Sequence, residues 1–285
     1  MAILMRPAQP EDAGECGRIC HDAFRAIATA HNFLPDFPNA EAATGALGMM
    51  LGNPNSYGVV AERNGKIAGS NFLDERSAIA GVGPITVDPS VQNEGLGAQL
   101  MHAVLQRATE RKFAGVRLVQ AGYHCRSLSL YLKLGFDVRE HLSCVQGQPI
   151  GEAIEGYAVR AATVADGEAC NALCRAAHGF DRDRELRDAI AQGAARVVVR
   201  NGRIAGYVTR IGFSGHAVTE TTDDLKALIA AAESFQGPGF LVPTRNGALM
   251  RWCLDKGLRV TQSLTLMTMG LYNEPTGGWL PSVLY

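Results

Sequence analysis

Apolar positions along this chain switch between two spacings, and the switches divide it into short strands and amphipathic helices. Ile3–Arg6 has the length of a strand. Asp12 then suits the first turn of a helix, where a carboxylate meets the helix dipole, and Cys16, Cys20 and Ala23 follow at helical spacing. Tyr57–Ala61 and Lys66–Leu73 read as two strands joined by Asn64-Gly65, a dipeptide that tolerates positive φ and so marks a hairpin. A strand is predicted over Ala78–Val87, then a helix to about Lys112 and a strand over Val116–Gln120. A further amphipathic helix is closed by Gly135 and runs into another strand.

Much of this pattern is written twice. RPAQPEDAGECGRICHDA, from Arg6, matches RAATVADGEACNALCRAA, from Arg160; RNGKIAG at 63–69 returns as RNGRIAG at 200–206; YLKLGFDV at 131–138 returns as CLDKGLRV at 253–260. Three blocks in one order indicate a duplicated domain. The second copy has strands at Tyr157–Arg160, Arg196–Val199, Arg203–Ile211, His216–Glu220 and Gly239–Pro243, and a helix at Asp223–Ala232. Alternating strands and helices in each half predict an α/β fold, two tandem domains each with a mixed central sheet flanked by helices. GQPIGEAIEG marks the boundary, giving domains over 1–146 and 157–285, the second with a tail whose Trp279 and Tyr285 are expected to dock onto another surface.

Composition narrows the classes. Of 285 residues, 47% are hydrophobic and 19% charged, so the chain can build real cores. A net charge of −1 gives no basic field for nucleic acid or an anionic membrane. No run reaches the roughly 20 apolar residues that span a bilayer, and the N-terminus lacks a secretory pattern. A cytoplasmic protein is expected. The seven cysteines form no disulfide framework, and the Cys16/Cys20 and Cys170/Cys174 pairs, without histidines at ligand spacing, read as small buried side chains rather than metal ligands.

One stretch is not duplicated. In VDPSVQNEGLGAQL, residues 87–100, Pro89 ends a strand and Gln92-Asn93-Glu94-Gly95-Leu96-Gly97 opens an amphipathic helix. Amides at a helix N-terminus are unpaired and favour an anion, and glycines remove the Cβ atoms that would hold a phosphate away. The second copy has HAVTETTDDLKAL there, with no Gly-x-Gly, and Cys253 where the first has Tyr131. No Gly-Lys-Ser/Thr follows the glycines, so a nucleotide P-loop is a poor match.

Gln-x-x-Gly-x-Gly after Val-x-Pro resembles the acetyl-CoA signature of the GCN5-related N-acetyltransferase (GNAT) family, and RSLSLYLKLGFDV resembles that family's tyrosine-bearing helix and following strand. The resemblance covers about residues 1–145, with 157–270 as an eroded copy. It implies acetyl-CoA as co-substrate, no metal, and transfer of the acetyl group to an amine by direct attack. It also implies that Gln92, Asn93, Glu94, Gly95, Leu96, Gly97 and Ala98 hold the pyrophosphate, with Ser127 among the cofactor contacts. Ile85, Thr86 and Val87 would pair with the pantetheine arm, and Tyr131 would be the general acid.

A general base is less evident. Glu75 and Asp74 follow the hairpin, Asp74 as a candidate on the substrate side; simple solvated turn carboxylates are the competing reading. His124 stands where relatives often carry asparagine, and either relays protons or is a packed or solvent-facing ring. Tyr123 beside it is no better constrained. In HNFLPDFPNA, His31, Phe33, Asp36 and Phe37 either line the acceptor pocket or form a loop tucked under its own aromatics.

The expected activity is N-acetylation of a primary amine on a small molecule. A non-catalytic acyl-CoA-binding regulator and a protein or peptide N-acetyltransferase are the alternatives. Neither nucleic acid nor membrane is an expected partner, and the chain is expected as a monomer with an internal pseudo-dimer or as a homodimer. Because the second copy lacks both motifs, calorimetric titration should show one acetyl-CoA site per chain; two equivalent sites would contradict a degenerate second copy.

Overall fold

A computed structural model describes residues 3–284, which fall into two compact units. One comprises Met1–Leu118, His124–Phe136 and Met269–Leu271; the other comprises Val119–Tyr123, Asp137–Thr268 and Tyr272–Tyr285.

The first unit contains β1 (Ile3–Pro7), α1 (Ala13–Ala30), α2 (Ala40–Leu51), β2 (Ser56–Arg63), β3 (Lys66–Asp74), β4 (Ile79–Val82), β5 (Thr86–Val87), α3 (Leu96–Glu110), the first half of β6 (Gly115–Ala121), and α4 (Cys125–Lys133). Its strands lie in the order β1-β2-β3-β4-β6, antiparallel except for the parallel pair β4 and β6, with β5 paired to β3. Asn64 and Gly65 both have positive φ, as the tight β2–β3 turn requires. Asp12 accepts from the backbone of Gln9 and receives two bonds from Arg6, joining β1 to the start of α1.

The single strand expected over Ala78–Val87 is two. Gly83 takes a φ of +133° and Pro84 offers no N–H, so the ladder stops after Val82. The chain rejoins β3 at Thr86, opposite Ser70, leaving Ile85 outside the ladder.

α2 is an element the periodicity reading did not anticipate. Asn39 caps it by accepting from the Ala42 amide, and Ala43 and Leu47 pack into a core with Cys16, Cys20, Val60 and Phe72. It crosses α1 at Gly17, where a Cβ would lie 2.5 Å from the Thr44 Cα.

The second unit contains β7 (Asp137–Gln146), β8 (Ala158–Ala161), α5 (Gly167–His178), α6 (Asp183–Ala191), β9 (Arg196–Arg200), β10 (Arg203–Val208), β11 (Ala217–Thr219), α7 (Thr222–Ala230), β12 (Phe240–Pro243), α8 (Gly247–Asp255), β13 (Arg259–Gly270, to Thr268) and β14 (Gly278–Leu280). An antiparallel five-stranded sheet has the order β14-β11-β10-β9-β8. β7, the last strand of the first sequence repeat, pairs antiparallel with β12 and β13 in this unit. Trp279, in the tail, is buried on β14 opposite Val218; Tyr285 lies outside the described residues.

Both cysteine pairs are buried, and desolvation raises the Cys16 thiol to about 11 and the Cys170 thiol to about 12. Among the described residues, no cluster of three or more His, Cys, Asp or Glu could hold a metal ion, and no helix is long and apolar enough to cross a membrane.

Because the Thr44 backbone faces Gly17, Gly17→Ala should force α1 and α2 apart and cost about 1–3 kcal/mol in chemical denaturation. An unchanged denaturation midpoint would show that the crossing is not tight.

Candidate active site

β5 leads into the glycine motif. The Asp88 amide donates to the Ala68 carbonyl, and the Asp88 side chain accepts from the Ser90 amide, closing a short turn over Pro89–Val91. Gln92 Nε2 then donates to the Val87 carbonyl at 3.0 Å, tying the motif back to β5. Asn93 and Gly95 take the left-handed conformation, with φ of +71° and +81°. Gly95 is the N-cap of α3, and no side chain caps that end. The opening turn of the helix therefore has no side-chain oxygen on its amides, the arrangement that receives an anion.

The two glycines have different physical reasons. Gly95 is required by its φ. Gly97 lies within the helix, where a Cβ would meet only Leu130 and Val87 side-chain carbons at 3.7 and 4.0 Å, ordinary contact distances. Packing does not require Gly97, so its bare Cα suits a group from outside the chain.

The corresponding helix of the second copy is closed. Thr221 accepts from the Asp224 amide, and the Asp224 carboxylate accepts from the Thr221 amide and hydroxyl. Asp224 is fully buried and also pairs with Arg200 at 2.8 Å. A phosphate there would have to displace a built-in carboxylate.

α4 brings its own groups to the motif. Arg126 donates to the side-chain oxygens of Asn93 at 2.7 Å and Gln92 at 2.8 Å. Sequence reasoning missed Arg126; its position two residues into the tyrosine-bearing helix is the signal that could have marked it. Glu94 is held to the β2–β3 hairpin by Arg63 at 2.8 Å.

Tyr131 is buried on α4 and packs edge-on against Phe136. Burial pushes its phenol up to about 12, against an opposing effect of the Ser127 side chain. Ser127 Oγ is in turn hydrogen-bonded to His124 Nδ1. His124 is lowered to about 4, chiefly by desolvation and then by Arg126 and His31, so it is neutral at pH 7. His124 and Ser127 thus stand at the start of α4, with His31 acting on the His124 ring and Tyr131 one turn further along the helix.

Other sequence candidates lie elsewhere. Glu75 is held by Arg107 at 2.7 Å and approached by Arg111 at 3.7 Å. Arg107 lies eleven residues along α3 from Leu96, about 16 Å at the helical rise. Glu75 therefore sits at the far end of the helix from the glycine turn. Asp74 is bound through both oxygens by Arg76. Phe37 stacks on Phe24 with ring centroids 6.1 Å apart and joins the core under α1, while the Phe33 amide donates to the Ala28 carbonyl. The Thr86 side chain is buried.

Gly97→Ala should leave the thermal midpoint unchanged or slightly raised, since alanine is the better helix residue. Acetyl-CoA affinity should fall by about tenfold, or 1.4 kcal/mol, in calorimetric titration. Equal affinity would mean that nothing approaches that Cα.

Comparison with known proteins bears on the same segment. Residues 23–136 match the sequence model of the acetyltransferase (GNAT) family. No curated protein matches the chain. Among solved structures, a Pyrococcus horikoshii protein assigned as an acetyltransferase shares the fold with a TM-score of 0.73 and 19% identity, covering 96% of this chain and 91% of that one. A GCN5-related N-acetyltransferase from Sphaerobacter thermophilus has a TM-score of 0.64 and 17% identity, covering 95% and 96%. A tandem GNAT protein from the clavulanic acid biosynthesis pathway has a TM-score of 0.57 and 13% identity, covering 94% and 98%. The matched segment contains the glycine turn, Arg126, Ser127 and Tyr131, and residues 23–136 are an acetyltransferase domain of the GNAT family.

Proposed function

We propose that this enzyme transfers an acetyl group to a primary amine of a small molecule, with residues 1–146 as the catalytic domain and 157–285 as a degenerate copy without catalysis. The observation that carries this reading is Tyr131, a buried phenol one helix away from the uncapped glycine turn.

The backbone of Gln92–Ala98 would hold the pyrophosphate, with Arg126 close enough to add a positive charge. Backbone groups over Ile85–Val87 would align the pantetheine arm beside β3. Acetyl-CoA supplies the acyl group, and CoA leaves as a thiolate that needs one proton. Tyr131 holds that proton at Oη, and burial keeps the phenol protonated throughout the neutral range. Asp74 and Glu75 are already paired with arginines, so neither offers the free acidic surface that a basic peptide would seek; this favours a small acceptor. With those carboxylates engaged, we assign deprotonation of the amine to water. His31 and Phe33, in the loop after α1, are the residues we place nearest the acceptor.

The test is thiol release from acetyl-CoA with benzylamine, ethanolamine, glucosamine and a lysine-containing peptide. Turnover with at least one small amine and little with the peptide is expected; the reverse order would make this a peptide acetyltransferase. Acetyl-CoA binding without turnover on any amine would make it a regulator. Tyr131→Phe should lower kcat on the order of 10²-fold or more with nearly unchanged acetyl-CoA affinity, and unaltered turnover would remove Tyr131 from the mechanism.

A further inference from the structure

A proton donor that is buried must also be refilled. Tyr131 is only 6% exposed, so its phenol has little direct access to water. A thiol of ordinary pKa near 8.5 is also the stronger acid, because burial has pushed the phenol up to about 12. Transfer of the phenolic proton to a thiolate is therefore uphill unless the proton is replaced in the same motion.

α4 provides a route. Ser127 and Tyr131 are four residues apart on one face of the helix, which sets the serine hydroxyl beside the phenol, where it acts against the effect of burial. Three residues before Ser127, His124 occupies the N-cap position, yet its ring caps no amide; Nδ1 is hydrogen-bonded to Ser127 Oγ. His124 is partly exposed, so the path ends where water can reach it. The charged and titratable groups acting on the ring are Arg126, from α4, and His31, from the end of α1. Both disfavour an imidazolium, and a neutral imidazole has one donor and one acceptor nitrogen, as a relay needs.

We propose that Ser127 and His124 form a proton path that reloads Tyr131 as it gives up its proton. The inference rests on the reading of Tyr131 as the acid. The Tyr131 Oη–H bond breaks as an S–H bond forms on the departing thiolate. The Ser127 hydroxyl proton passes to Oη, the His124 Nδ1 proton passes to Ser127 Oγ, and Nε2 takes one proton from solvent. One proton enters the path and one leaves it, with no change of oxidation state. Exchange with water returns the ring to its starting tautomer. Ser127 and His124 are then positioning residues that act through Tyr131.

The experiment compares wild type, Ser127→Ala, Ser127→Thr, His124→Asn and Tyr131→Phe in single-turnover thiol release from acetyl-CoA. Benzylamine and water alone are used as parallel acceptors, in mixtures of light and heavy water. In wild type the rate should fall along a bowed curve with deuterium fraction, the mark of several protons moving together. Ser127→Ala should slow release on the order of 10²-fold, leave the KM for acetyl-CoA within about twofold, and give a straight line. Ser127→Thr, which keeps the hydroxyl, should restore both rate and curvature; His124→Asn should match Ser127→Ala. A straight line in wild type, or Ser127→Ala with an unchanged rate, would overturn the path. So would a raised KM with an unchanged rate, which would make Ser127 a cofactor contact. Should Ser127→Ala not fold, Ser127→Thr and His124→Asn carry the comparison, and a wild-type rate and curve in His124→Asn overturns the path. Wild-type turnover in Tyr131→Phe would instead sink the reading of the acid.

Discussion

A helix must satisfy or expose the amides of its first turn, and the chemistry of this protein depends on how that obligation is met at two equivalent places. At α3 the preceding residues turn through left-handed conformations at Asn93 and Gly95, and no side chain returns to cap the end. At α7 Thr221 and Asp224 close a capping box on each other. The backbone elements are equivalent in the repeat and differ in what side chains do to four N–H groups. The glycine turn has the same positive end as any helix, but left open to an anion.

Two repeats, their hairpins and most strands were legible from periodicity and from dipeptides such as Asn64-Gly65. The closed α7 terminus was legible too, from Asp223-Asp224 at a helix start. α2 was not, because only Ala43 and Leu47 are fully buried in a segment whose other positions are largely alanine, glycine and methionine, and Asn39 alone marked its beginning. The break between β4 and β5 was written as Gly83-Pro84 but was masked by apolar residues on both sides. Glu75 shows a different limit. A carboxylate after a strand reads the same whether it faces a substrate or, as here, an arginine on a neighbouring helix. Pairings between residues far apart in sequence decide such roles, and periodicity carries no information on them.

α4 joins the glycine motif to the phenol proposed as the acid. Its first turn reaches the glycine motif through Arg126 and carries Ser127, and its last turn buries Tyr131 against Phe136. One short rigid element thus fixes the separation between an anion-binding turn and a phenol. Displacing the helix would disturb both together.

The capping box of the second copy has an evolutionary consequence. Reopening that terminus to a phosphate would mean removing Asp224, but Asp224 is buried and is also the partner of Arg200. A single substitution would free the Thr221 amide and hydroxyl and leave Arg200 with Glu220 alone, a loss with no ligand yet present to offset it. Recovery would need coordinated changes at several positions, including a glycine for the left-handed turn and a tyrosine in place of Cys253. The α7 terminus is thus held closed by the same pairings that stabilise it, and a change at one position alone works against it.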